Sequence, residues 1–137
     1  MFDLNNILTI GMHHTVQKLL DESDTAIHYG RGSLEYLIAT PAFVSLMIDA
    51  SIGITKGRLP EGFLTVGTSF SFTHNAPTCL GMTIRVKSTL VEINGGTLIF
   101  DIVASDEYGS IGSGRHQRSV VNRERLFEKA RQRMNNE

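Results

Sequence analysis

Residues Ala39–Ser51 read ATPAFVSLMIDAS. Threonine followed by proline makes a good helix start: threonine is a favoured N-cap, and proline at the first helical position lacks only an N–H that would be unpaired there anyway. Ala42, Phe43, Val44, Leu46, Met47, Ile48 and Ala50 then put apolar groups nearly all the way round. The helix is expected from about Pro41 to Lys56, stopping at Gly57 with Pro60 beyond. A helix apolar on most sides must be covered on most sides.

The cover is expected from the remaining chain. A strand is predicted over Gly11–Leu20, with Met12, His14 and Val16 on one side and His13, Thr15 and Gln17 on the other. Gly30, Gly32 and Ser33 break the chain before a short turn, Leu34 to Ile38, that delivers Thr40. Beyond the helix, LTVGTSFSFTH places Leu64, Val66, Phe70, Phe72 and His74 on one face, with Thr65, Gly67, Ser69, Ser71 and Thr73 on the other. MTIRVKSTLVEI alternates as far as Ser88 and then shifts phase towards Val91 and Ile93, as a bulge would cause. Asn94, Gly95 and Gly96 supply a hairpin turn into TLIFDIVAS, which points Leu98, Phe100, Ile102 and Ala104 inward. Gly112 and Gly114 in the last strand predict a bend or a close backbone approach. NRERLFEKARQRM has Leu126, Ala130 and Met134 at helical spacing behind Asn122 as a cap. One long helix against a curved antiparallel sheet, with a short C-terminal helix, is an α+β arrangement; without repeats or linkers it reads as a single domain over residues 1–137.

Composition narrows the partners. Thirteen basic residues against fourteen acidic ones give a net charge of −1, which offers no footprint for nucleic acid or an anionic membrane surface. No apolar run is long enough to span a membrane, and MFDLNNILTI lacks the basic and apolar regions of a signal peptide, so a cytoplasmic location is expected. The single Cys79 cannot form an internal disulfide, and its turn-like setting, APTCLG, favours a structural role over a nucleophilic one. His13 and His14 are adjacent and face opposite sides of a strand, and no His/Cys/Asp cluster has ligand spacing, so no metal is predicted. Gly95-Gly96 and the GSG at 112–114 do not lead from a strand into a helix and make no phosphate loop.

Three ordered motifs, GSLEYLIATPAFVSLM, TVGTSFSFTHNAPTCLG and IGSGRHQRSVV, resemble the hot-dog-fold acyl-CoA thioesterases of the fluoroacetyl-CoA thioesterase type, over about Gly11 to Arg133. The resemblance implies a hot-dog fold, in which the sheet wraps the helix. It also implies a homodimer whose two sheets join edge to edge and hold the thioester between subunits, with no cofactor beyond the CoA of the substrate. It implies a catalytic threonine at the helix start, a glutamate eight residues later and a histidine at the end of the next strand. Thr40 and His74 match the first and third, whereas Ile48 occupies the glutamate position. Gly67 matches a glycine beside the bound acyl group, and His116 and Arg118 match the residue types carried there. Asp49 is adjacent to Ile48 but lies about 100° round a helix and is a weak substitute for the acid.

Thioester hydrolysis needs an activated water or hydroxyl and a place for charge to collect on the carbonyl oxygen. The amides of Ala42 and Phe43 at the helix N-terminus are expected to be unpaired and to supply the second, while His74 takes a proton from water or from Thr40. Ile48, Phe43, Phe70 and Phe72 are candidate apolar lining for the acyl group. Each residue also has a plainer role. Thr40 is a cap, His74 closes an apolar strand face, and Asp49 pairs with Lys56 or Arg58 or reaches Ser45. Arg118 binds a CoA phosphate or pairs with a carboxylate across the dimer. Two functions compete: hydrolysis of an acyl-CoA, and a non-catalytic acyl-CoA or acyl-ligand binding dimer in which Ile48 has replaced the acid. A dehydratase of the same fold lacks support, because the long helix carries no histidine with an acid at suitable spacing.

Overall fold

The computed structural model describes residues 2–135. The chain forms strand β1 (His13–Leu19), helix α1 (Thr40–Thr55), strands β2 (Phe63–His74), β3 (Thr83–Asn94), β4 (Thr97–Asp106) and β5 (Gly109–Asn122), and helix α2 (Arg123–Asn135). The strands make one antiparallel sheet in the order β1-β3-β4-β5-β2, which leaves β1 and β2 at its edges. The expected α+β hot-dog architecture is therefore present, with α1 packed mainly over β1 and β3.

The inward pattern of β4 is as read: Leu98, Phe100, Ile102 and Ala104 are all buried. In β3 the alternation runs further than expected. Ile84, Val86, Ser88 and Leu90 are buried in succession, and the register shifts between Leu90 and Glu92, so the bulge sits at Val91 rather than just after Ser88. Ser88 stays inside because its hydroxyl meets that of Ser51 on α1 at 2.9 Å, and Ser51 also bonds the Met47 carbonyl. The β3–β4 hairpin turns through Gly95 and Gly96, with Gly95 at φ 58°. Asn122 caps α2 through the Arg125 amide at 3.1 Å. The predicted apolar stripe of α2 is not buried in the single chain, and Met134 is exposed.

The face pattern expected of β2 requires correction. Gly67 pairs with Arg118 but Ser69 pairs with Gln117, so Thr68 is an extra residue and the side chains change sides across it. Phe70, Phe72 and His74 share their face with Phe63, Thr65 and Gly67, not with Leu64 and Val66.

The cover over α1 is also less complete than its composition demands. Phe43, Met47, Ala50, Ser51 and Ile54 form a buried face, while Val44 and Ile48 are half-buried and Ile52 is exposed. One chain covers one face. The N-terminal segment, for which no element was expected, makes a 3-10 turn at Leu4–Asn6 and adds Leu4 and Leu8 to the core.

Gly112 and Gly114 lie where β5 meets the start of α1. A Cβ on Gly112 would overlap the Thr73 carbonyl oxygen and stand 3.1 Å from the Phe43 ring, and one on Gly114 would stand 3.1 Å from Phe70 and 3.3 Å from the Met47 sulfur. The close approach expected from the sequence is thus between β5, its neighbour β2 and α1. Gly112→Ala is expected to destabilise the protein by about 1–3 kcal/mol through overpacking, measured as a lower urea midpoint at unchanged slope.

Candidate active site

Thr40 reaches its position through the segment before α1. Ile38 donates its N–H to the Thr78 carbonyl and Ala39 donates to that of Asp24, each at 2.8 Å, so the chain is held from two sides as it enters the helix. Leu37 and Ile38 lie in isolated bridges with Cys79 and Thr25, rather than in the short turn expected. The turn comes earlier, at Gly32–Leu34, and Glu35 completes it at φ 47°, an uncommon conformation for a residue with a side chain.

Thr40 is not the cap. Ala39 holds that position in extended conformation without a side-chain hydrogen bond, and Thr40 is the first helical residue, followed by Pro41. The threonine hydroxyl is therefore free of capping, and it meets Nδ1 of His74 at 3.0 Å. The first helical bond runs from the Phe43 amide to the Ala39 carbonyl at 3.0 Å, so the Phe43 amide, expected to be unpaired, is taken. The Ala42 amide has no backbone acceptor among the described residues, which leaves it with the Thr40 amide as the open donors of the first turn.

His74 ends β2, and the Phe43 ring lies 4.7 Å from its imidazole. Its Nε2 is buried without a hydrogen-bond partner among the described residues. Burial pushes the imidazole pKa below its ordinary value, which keeps the ring neutral and able to accept a proton at Nδ1. A cavity of about 560 Å³ opens over this pair, lined by Thr40, Pro41, His74 and Asn75 together with a second group, Tyr29, Arg31 and Leu34. The second group comes from a segment read from the sequence only as a chain break and turn, with no site residue in it; it contains no periodic pattern, and only its place in the fold brings it there.

Arg118 and Gly67 make a separate cluster. Arg118 is buried and donates from Nε to the Thr65 hydroxyl at 2.9 Å, from Nη2 to the Thr65 carbonyl at 2.9 Å and from Nη1 to Nε2 of His116 at 3.0 Å. His116 is stacked on Phe70 with 4.4 Å between centroids and donates Nδ1–H to the Ser69 carbonyl at 3.0 Å, because a carbonyl can only accept. Burial first, and then the Arg118 charge, lower the His116 pKa against the opposing effect of the Ser69 bond. Gly67 faces this pair: a Cβ there would stand 3.2 Å from the His116 ring and 3.4 Å from Arg118. Gly67, Arg118, Ile48, Ala42 and Phe43 do not line the Thr40–His74 cavity of the single chain. Asp49 is exposed and has none of its expected partners; Arg58 bonds the Ile54 carbonyl instead.

The sequence profile of the fluoroacetyl-CoA-specific thioesterases matches residues 20–124. The chain belongs to that family. A fluoroacetyl-CoA thioesterase of Streptantibioticus cattleyicolor is 32% identical over 120 residues, covering 88% of this chain and 83% of the relative. Among solved structures, a hot-dog-like protein from Thermanaerovibrio acidaminovorans superposes with a TM-score of 0.90 at 27% identity, over 96% of this chain and 97% of the other. A fluoroacetyl-CoA thioesterase variant in complex with acetyl-CoA gives 0.86 at 27% identity, over 92% and 98%. Within this thioesterase family the present chain carries isoleucine at position 48.

His116, which is buried, and His74, which is half-buried, give stability a pH dependence of defined sign. A pKa lowered by folding means that the unfolded chain binds the proton more readily, so stability is full above the ordinary value of about 6.5 and is lost as pH falls towards the folded values. His74→Gln is expected to lose less stability than the wild type between about pH 7 and pH 5, followed by urea unfolding, and the His74 ring should titrate below about 6.5 by NMR.

Proposed function

We propose that this protein hydrolyses an acyl-CoA thioester to the free acid and CoA, with Thr40 and His74 at the reacting carbonyl. The observation that carries the proposal is the 3.0 Å contact between the uncapped Thr40 hydroxyl and His74 Nδ1 beside an open cavity. The thioesterase family of the chain agrees with it.

In this reading His74 takes the Thr40 proton as the hydroxyl oxygen attacks the thioester carbonyl. The Oγ–C bond forms, charge passes to the carbonyl oxygen, and the positive end of α1, where the first-turn amides are open and Thr40 lines the cavity, receives it. The C–S bond then breaks and His74 returns the proton to the departing CoA sulfur. Water deprotonated by the same imidazole attacks the Thr40 ester, releasing the acid and restoring the hydroxyl. No cofactor takes part, since the CoA is that of the substrate. Phe43 supports the imidazole from behind.

The remaining candidates join through a second copy of the chain. Ile48 lies eight residues beyond Thr40, about 12 Å along the helix, which is out of reach of the same chain's Thr40 hydroxyl. A homodimer that extends the sheet from the open edge of β2 and covers the uncovered apolar face of α1 would bring Ile48, Gly67 and Arg118 towards the thioester.

A second reading, acyl-CoA binding without hydrolysis, is favoured by one pair of observations: an apolar residue at position 48 and a His74 Nε2 without a partner among the described residues, so that none of their acids steadies the imidazolium. The test is CoA release from short- and medium-chain acyl-CoAs. Thr40→Ala and His74→Ala are each expected to lower turnover by about 10²- to 10⁴-fold, with Thr40→Ser retaining more than Thr40→Ala. Absence of turnover on every thioester, with acyl-CoA still raising the unfolding temperature, would favour the binding protein. Ile48→Glu is expected to raise turnover by up to about 10²-fold in a folded protein, since it restores a proton-accepting carboxylate.

A further inference from the structure

The cavity over Thr40 and His74 has one permanent charge on its wall. Among its lining residues Arg31 carries the guanidinium, burial lowers the pKa of the His74 imidazole, and no aspartate or glutamate is present. Arg31 is solvent-exposed, and no carboxylate lines the cavity wall that it shares. Arg31 forms no ion pair among the described residues, and the only hydrogen bond of its side chain among them is a long one, 3.5 Å, from Nη1 to the carbonyl of its own neighbour Gly30.

The backbone that carries this cation is held in place although the head group is free. The Arg31 amide donates to the Ala26 carbonyl at 2.8 Å, and its carbonyl accepts from the Leu34 amide at 3.0 Å. Ala26 in turn donates to Leu37 at 2.8 Å, one residue before the Ile38 and Ala39 bonds that set the start of α1. The same hydrogen-bonded run therefore positions Arg31 and Thr40 in the lining of one cavity.

We propose that Arg31 is the specificity residue of this cavity and selects a thioester bearing anionic oxygen, either a carboxylate at the far end of the acyl group or a phosphate of the CoA. Both present oxygens to which a guanidinium donates two parallel N–H bonds. The inference rests on the thioesterase reading for the identity of the ligand, but not on turnover.

The test is calorimetric binding of two non-hydrolysable thioethers, S-butyl-CoA and S-(3-carboxypropyl)-CoA, to the wild type, Arg31→Gln and Arg31→Lys. If the acyl carboxylate is the target, Arg31→Gln weakens only the carboxypropyl ligand, by about 10- to 100-fold. If the phosphate is the target, Arg31→Gln weakens both ligands alike and Arg31→Lys recovers part of the loss. Unchanged affinity for both ligands in Arg31→Gln overturns the proposal, as does an equal loss that lysine does not recover, which would assign Arg31 to packing. A wild type that binds neither ligand overturns it as well. Tight, Arg31-dependent binding in a protein that hydrolyses no thioester would remove the enzymatic reading alone and leave the anion site standing.

Discussion

The structure depends on how the chain is pinned immediately before α1. The amides of Ile38 and Ala39 are fixed from opposite sides, by Thr78 ahead in the chain and by Asp24 behind it. Asp24 is itself anchored, through an ion pair with Lys18 of β1 at 2.7 Å and a hydrogen bond from the Asp21 amide. These bonds set the rotation and depth of the helix start, and that decides that Ala39 rather than Thr40 occupies the cap. A threonine in the cap position would spend its hydroxyl on the backbone. One residue further in, the same hydroxyl is exposed at the helix mouth and can meet a histidine from another element.

Packing at the other side of the mouth completes the arrangement. His74 can stand beside Thr40 because Phe43 meets the β5 backbone at Gly112, and Met47 meets it at Gly114, without side chains between them. The Thr68 bulge serves a related purpose in β2, turning Gly67 to the face that carries His116 and Arg118 while keeping His74 on the helix side. An uninterrupted strand would have placed Gly67 and His74 on opposite faces. A local irregularity thus lets one strand contribute to two polar clusters.

Much of this was legible in the chain. Pro41 and Gly57 bracket α1 because proline in the first turn and glycine beyond the last are short-range signals, and the alternation in β4 shows which side is buried because only one face of that strand meets the core. The hairpin at Gly95-Gly96 and the Asn122 cap are similarly local. Thr40 and His74 were identifiable as a pair only by resemblance, since 34 residues separate them and neither residue type is diagnostic alone. Leu4 and Leu8 escaped notice because two leucines in and just beyond a short 3-10 turn carry no period. Arg31 escaped notice because nothing in HYGRGS marks a site until the segment folds across the helix N-terminus.

The sequence by itself determined the α+β class, the order of its elements, the apolar helix at its centre and the absence of glutamate from position 48. These follow from caps, turns and periodicity, all set by residues a few positions apart. The tertiary structure alone decided that Thr40 stands inside the helix with its hydroxyl free, that Thr68 reverses the faces of β2, and that Arg31 shares a cavity with His74. Each of these depends on bonds between segments distant in the chain, and a displacement of one residue in those bonds is invisible to any local pattern while it changes which atoms meet.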